Sequence, residues 1–178
     1  LRNMMYTAQL GDKGPFSIRY PRGRGVKAGW KEEFTEIPVG KARQISKGND
    51  IAVLSIGNTG NIVVKAVEEL KKENYGIDHY DMRFVKPLDE EVLHRVFKKH
   101  KLVLTIEDGV LKGGFGSAVI EFMCDNVYTS TIKRLGVPDK FIDQGTQDEL
   151  YRLCGFDTEA VINTIKTMIG KRLLSRVG

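Results

Sequence analysis

Two cysteines, five prolines and a single tryptophan in 178 residues leave several protein classes without material. Cys124 and Cys154 stand far apart, with no C-x-x-C or Cys/His grouping, so neither a disulfide framework nor a zinc site is expected, and both read as buried, reduced thiols. No apolar run approaches the roughly 18–20 residues that a membrane-spanning helix needs. No secretory leader precedes the first strand-like segment, and the expectation is a cytoplasmic chain without membrane contact. Histidine is scarce as well. His79, His94 and His100 show neither H-x-x-x-H nor H-E-x-x-H spacing and read as surface or partly packed side chains. Ser55 and Ser117 lack a G-x-S-x-G elbow, which removes support for nucleophilic hydrolysis.

What is present is the composition of a soluble globular domain: 41% hydrophobic residues, 29% charged residues and 19 glycines. The length suits one core, or one domain plus a fragment of another. The net charge of +5 is unevenly placed. Residues 1–31 hold seven basic side chains against Asp12 alone, whereas the rest of the chain carries 21 basic and 22 acidic groups. A nucleic-acid-binding domain spreads cations over its folded body, and here the body is neutral. A local anion site near the N-terminus is favoured, and no nucleic-acid partner is expected.

The chain opens at Leu1 within a helical pattern (Met4, Met5, Ala8) that breaks at Gly11-Asp12-Lys13-Gly14-Pro15, as if cut from something longer. Phe16 to Tyr20 reads as a short strand ended by Pro21, which lacks an amide donor. Residues 26–36 are charged, aperiodic and linker-like, and an independent domain starts near Ile37. There, Val39–Ile45 and Ile51–Ile56 flank the turn-rich Ser46-Lys47-Gly48-Asn49-Asp50 and read as an antiparallel hairpin. The unbroken apolar run of Ile51–Ile56 belongs mid-sheet.

Helix and strand patterns then alternate. Val63, Ala66, Val67 and Leu70 recur at i, i+3, i+4, i+7, with Glu68 and Lys72 paired on the wet side. Ile77–Met82 is a strand, and Asp89 opens a helix with Val92, Leu93, Val96 and Phe97 on one stripe. Leu102–Ile106 is a second buried strand, followed by a glycine-rich turn and a helix carrying Phe115, Ala118, Val119, Phe122 and Met123. Thr131–Leu135 is the last strand, Thr146-Gln147-Asp148-Glu149 has the form of a capping box, and a helix over about 158–171 closes the chain. This rhythm predicts an α/β fold: three layers, a mostly parallel five-stranded sheet with one antiparallel edge strand, and helices on both faces.

Three candidate sites follow. Arg19-Tyr20-Pro21-Arg22-Gly23-Arg24-Gly25 places three guanidinium groups at a strand end, where ligands meet α/β sheets. Arginine can grip a phosphate through two parallel hydrogen bonds. Chemistry alone leaves anion binding and solvated edge charge equally open, and leaves open which arginine faces a ligand. Gly113-Gly114-Phe115-Gly116-Ser117 lacks both the G-K-[ST] ending and the G-x-G-x-x-G spacing, so close helix–sheet approach is favoured over a phosphate loop. Glu107 and Asp108 are adjacent on a strand, face opposite ways and are not expected to act as a catalytic pair.

Taken in order, Ile18-Arg19-Tyr20-Pro21-Arg22-Gly23, Pro38-Val39-Gly40-Lys41, Asp81-Met82-Arg83-Phe84-Val85-Lys86-Pro87-Leu88-Asp89, Thr105-Ile106-Glu107-Asp108, Gly113-Gly114-Phe115-Gly116-Ser117, Gly136-Val137-Pro138-Asp139 and Gln144-Gly145-Thr146-Gln147 resemble the C-terminal part of the 1-deoxy-D-xylulose-5-phosphate synthase family, almost end to end. The first and third strings set it apart from transketolases and from pyruvate-dehydrogenase beta-type subunits, which share the fold. The resemblance implies that residues 1–25 end a thiamine-pyrimidine-binding domain, 26–36 form a linker and 37–178 form a transketolase C-terminal domain. It implies a parent that condenses pyruvate with D-glyceraldehyde 3-phosphate, with loss of carbon dioxide, using thiamine diphosphate and magnesium. The family's phosphate-anchoring arginine corresponds to Arg22, a positioning role. The family's cofactor motifs and catalytic groups match nothing in this chain, so on its own it is expected to bind no cofactor or metal and to be inactive. A homodimer is implied. Two other readings stand beside this one: a non-catalytic assembly domain of another transketolase-family enzyme, and an independent nucleotide-binding domain using Gly113–Ser117.

Overall fold

The computed structural model describes residues 1–11, 14–21 and 31–174, and among these, six helices and five strands are formed. In chain order they are α1 (Arg2–Ala8), β1 (Arg43–Ser46), β2 (Ile51–Ser55), α2 (Thr59–Lys72), β3 (Ile77–Asp81), α3 (Glu90–Lys99), β4 (Leu102–Val110), α4 (Phe115–Asp125), β5 (Thr131–Val137), α5 (Gln147–Leu153) and α6 (Thr158–Leu174). The strands form one sheet in the order β1-β3-β2-β4-β5. β2, β3, β4 and β5 run parallel, and β1 joins β3 antiparallel at one edge. The expected three-layer α/β architecture is therefore present.

Alternation along the central strands builds two apolar layers. Ile51 and Val53 of β2, with Leu102, Leu104 and Ile106 of β4, face α2 and α6 through Val63, Val67, Leu70, Val161 and Ile165. Ala52, Leu54 and Val103 point the other way, onto Val92, Leu93, Val96 and Phe97 of α3 and Phe115 and Val119 of α4. Every residue of β2 is buried, which is why its sequence is an apolar run rather than an alternation. Capping follows local chemistry. The Asp89 side chain accepts from the Val92 amide at the start of α3, and Thr146 with Glu149 forms the complete capping box of α5.

The hairpin expectation is corrected. β1 and β2 do not pair, because β3 lies between them. The turn instead wraps the start of β3: the Asp50 amide donates to the Gly76 carbonyl, and the Gly76 amide donates to the Asp50 carboxylate. Gly48 is required there, since a Cβ on it would sit 2.1 Å from the Gly76 carbonyl carbon. Residues 16–20 do not form a strand and have no ladder partner among the described residues. On α2, Lys72 pairs with Glu69 rather than Glu68. Cys124 is exposed and Cys154 half-buried, against the expectation that both are buried. Of the expected linker, residues 26–30 lie outside the described residues, and residues 31–36 are exposed and irregular.

Candidate functional site

Parallel strands deliver their carboxyl ends to one edge of the sheet, and the polar groups of this domain concentrate there. On β4, Leu102, Leu104 and Ile106 face α2 and α6, so Glu107 must face α4 and Asp108 must face back. The two carboxylates do diverge. Glu107, 5% exposed, accepts from the backbone amides of Phe115 and Gly116 at 2.8 Å each, one to each oxygen. It fills the positive end of α4 from within the protein. Asp108 accepts a 2.8 Å hydrogen bond from the Tyr151 hydroxyl, which accepts in turn from Asn58. Burial, together with the Asp108 carboxylate, pushes the Tyr151 phenol up to about 12, so it stays a proton donor.

Three glycines, Gly109, Gly114 and Gly136, make room for Glu107, and a fourth, Gly116, makes room for Thr105 and Arg134. A Cβ on Gly114 would lie 2.2 Å from its Oε2, and one on Gly136 would meet its backbone oxygen and Cγ at 3.0 and 3.1 Å. A Cβ on Gly116 would meet the Thr105 hydroxyl at 2.6 Å, and one on Gly109 would meet the Glu107 Oε2 at 3.2 Å. The approach turn is tied by Arg134, which donates to the Leu111 carbonyl and to the Ser117 hydroxyl. A phosphate has no place at this helix start, because Glu107 already occupies the amides. Close packing is the role of the glycine turn, and the nucleotide-binding reading loses its site.

The arginine segment reaches the same sheet end. Arg19 lays Nη1 3.1 Å from where a Gly109 Cβ would be, and Phe16 packs edge-on to Phe84 with ring centroids 6.3 Å apart. Arg19 is thus stowed against β4 beside Glu107. Arg22, the expected phosphate ligand, and Arg24 lie outside the described residues. No pattern in the sequence announced the Gly109–Arg19 approach or the Asn58–Tyr151–Asp108 chain, whose members are far apart along the polypeptide. For Glu107 a signal existed: a carboxylate at a strand end followed by glycines at 113, 114 and 116.

Two further polar clusters lie inside. His79 and His100, expected near the surface, are each 1% exposed. The Ser55 hydroxyl lies 2.8 Å from His79 Nε2 and donates to the Tyr80 carbonyl, and burial holds the His79 imidazole down to about 4. Both side chains are sealed from substrate, so this pair is structural. Asp78, fully buried on β3, accepts from Gln44 of β1 at 2.6 Å, from Lys99 at 2.9 Å and from His100 Nε2 at 2.9 Å. Burial pushes its carboxyl up, but the hydrogen bonds from Lys99, His100 and Gln44 outweigh that and hold it below the usual range. Burial keeps His100 neutral, so Lys99 supplies the balancing charge. Among the described residues, no group of three or more His, Cys, Asp or Glu side chains is arranged to hold a metal ion, and no helix is long and apolar enough to cross a membrane.

A family model of the transketolase C-terminal domain matches residues 40–161. The chain belongs to the transketolase C-terminal domain family. Within this family its similarity is pronounced: a 1-deoxy-D-xylulose-5-phosphate synthase of Cytophaga hutchinsonii is 56% identical over 171 residues, covering 96% of this chain and 27% of that protein. Proteins of the same name from Parabacteroides distasonis and Bacteroides thetaiotaomicron are 54% and 56% identical over 93% and 90% of the chain. The chain spans about a quarter of the length of these relatives. A solved structure titled as a split-gene transketolase, inactive β4 tetramer, superposes with a TM-score of 0.71 at 24% identity, over 76% of this chain and 44% of its own; it shares the fold.

Proposed function

We propose that the chain is the C-terminal part of a 1-deoxy-D-xylulose-5-phosphate synthase, a transferase that joins pyruvate to D-glyceraldehyde 3-phosphate with loss of carbon dioxide. The observation that carries this reading is identity of 54–56% to proteins of that one name along nearly the whole chain. Residues 1–25 are then the end of a thiamine-pyrimidine-binding domain, 26–36 a linker and 37–178 the C-terminal domain. Arg22 is the phosphate anchor for glyceraldehyde 3-phosphate. The position of Arg19 beside Gly109 supports this, since it brings the start of the arginine motif to the carboxyl end of the sheet, where α/β sheets meet their ligands.

Thiamine diphosphate and magnesium do not fit the residues described here. The α4 amides, the helix start that could have received a diphosphate in the reading of Gly113–Ser117, are filled by Glu107. The cofactor belongs to the rest of the parent, and the chain on its own is inactive. In the full enzyme carrying this segment, Arg22→Ala raises KM for glyceraldehyde 3-phosphate roughly ten- to hundredfold, the worth of a charge-assisted contact, with kcat much less affected. Steady-state kinetics with that substrate varied is the test, and an unchanged KM removes Arg22 from the site.

Assembly is part of the same proposal. The solved neighbour is titled a tetramer, and in this chain Phe141 and Leu153 stand exposed beyond β5 and at the end of α5. A cytoplasmic homodimer is the parent's form. If the chain sediments as a stable oligomer while the parent's kinetics ignore Arg22, the assembly-domain reading takes precedence.

A further inference from the structure

At the opposite edge of the sheet, where β4 and β5 begin, a groove of about 610 Å³ runs between those strands and the outer stripe of α6. Lys101, Lys133, Lys171 and Arg172 line it, and among the described residues no Asp or Glu does. The chain beyond residue 31 is almost charge-balanced, so three lysines, Lys101, Lys133 and Lys171, sharing one concavity that no Asp or Glu lines among the described residues is a departure from the body as a whole. Some lysines elsewhere, Lys41, Lys72, Lys99, Lys112 and Lys166, each pair with an acidic side chain, while others, such as Lys47 and Lys65, stand singly in solvent; what marks the groove is that its lysines share one concavity. Among the described residues, Lys101, Lys133 and Lys171 pair with none.

Helix electrostatics accounts for part of this, because Lys171 and Arg172 sit in the last turn of α6, at its negative end. It does not account for Lys101, at the turn entering β4, or for Lys133 of β5. Hydroxyl and amide donors complete the wall: Thr131 from β5, with Asn163 and Thr167 from α6. Leu102, Ile132 and Met168 give it an apolar floor. The volume lies within the usual range for small-molecule sites, and apolar surface with a few convergent polar groups is their usual lining.

We propose that this groove binds a small organic phosphate bearing at least two negative charges, its phosphates among Lys101, Lys133 and Lys171 and its carbon portion on Leu102, Ile132 and Met168. The site is separate from the carboxyl-edge site and does not depend on the function proposed for it. A phosphate group here relieves the mutual repulsion of the cations, and the floor favours an organic ester over the inorganic ion.

Titrations of the chain with inorganic diphosphate, ADP and adenosine, followed by calorimetry and by amide chemical shifts, test it. Saturable 1:1 binding is expected for ADP, several-fold weaker binding for diphosphate and none for adenosine, with shifts at Thr131, Lys133, Thr167 and Lys171. Lys133→Glu with Lys171→Glu should weaken ADP at least tenfold. Lys47→Glu with Lys65→Glu, both exposed and outside the groove, makes the same change in net charge and should weaken it less than twofold. Absence of saturation at millimolar ligand, equal loss in both double variants, or shifts confined to residues 19–24 overturns the proposal. Diphosphate binding as tightly as ADP overturns the role of the apolar floor.

Discussion

Removing the Glu107 carboxylate should destabilise the domain far more than an ordinary strand-end substitution. Its two oxygens each accept one backbone amide at 2.8 Å, in a setting 5% exposed. Hydrogen bonds to a charged group are worth about 1.5–3 kcal/mol each, and a buried amide left unpaired costs about 1–3 kcal/mol. Glu107→Ala opens both amides and leaves a void, so a loss of about 3–5 kcal/mol is expected, a large part of the 5–15 kcal/mol that holds a domain together. Glu107→Gln keeps one acceptor and turns an NH2 group toward the second amide, and should lose about 2–3 kcal/mol. Gly114→Ala forces a methyl to within 2.2 Å of Oε2 and 2.4 Å of the Val110 carbonyl oxygen. In the Glu107→Ala background the first clash disappears, so the double variant should be at least about 1 kcal/mol more stable than the two single losses added. Urea unfolding followed by far-UV circular dichroism gives these differences from the midpoints, and hydrogen exchange at Phe115 and Gly116 locates them. A Glu107→Ala loss below about 1 kcal/mol, or strict additivity in the cycle, refutes the reasoning.

Two other perturbations are equally concrete. His79 has a folded value of about 4 against an ordinary 6.5, so the unfolded chain takes up the proton first as pH falls. The contribution of the neutral imidazole is therefore intact above about pH 6.5, declines by roughly 3 kcal/mol as pH falls to 4, and changes no further below that. His79→Gln should flatten this part of the urea-midpoint profile, and superimposable wild-type and variant profiles would contradict the assignment. Gly48→Ala drives a Cβ to 2.1 Å from backbone at Gly76 and should cost more than about 3 kcal/mol while separating the β1–β2 turn from β3; exchange protection at Gly76 and Ile77 equal to that of the unaltered chain would show the turn can give way.

The parts of the fold legible in the sequence are those in which one periodicity decides the outcome. Ile51–Ser55 could only be a strand covered on both faces, and the stripes of α2 and α3 fixed which side chains meet the sheet. The hairpin was misread because Ser46–Asp50 has the composition of a tight turn, and composition carries no information about a third strand entering between its arms. Phe16–Tyr20 has strand-like residues, yet residues become a strand only where a neighbouring edge accepts their hydrogen bonds, and none does among the described residues. The lack of ligand spacing around His79 and His100 suggests surface or partly packed side chains, whereas partners distant in the chain, Ser55 and Asp78, bring them inside. At the carboxyl edge, the divergence of Glu107 and Asp108 followed from strand geometry, but the contact of Arg19 with Gly109 depends on two segments about ninety positions apart and left no local trace.

The Asp78 cluster also settles where β1 lies. All of β1 except Ser46 is exposed, so apolar alternation gives this edge strand no preferred alignment, and slippage by one position would ordinarily be cheap. Gln44 supplies the amide that reaches the sealed carboxylate at 2.6 Å. Sliding the strand by one residue brings Arg43 or Ile45 to that place, a guanidinium of the wrong length or a side chain with nothing to donate. A single buried anion thus acts as the notch for a ribbon whose ties to β3 from the Ser46 hydroxyl, on the Ile77 carbonyl, and from Arg43, on Asp81, lie nearer the surface.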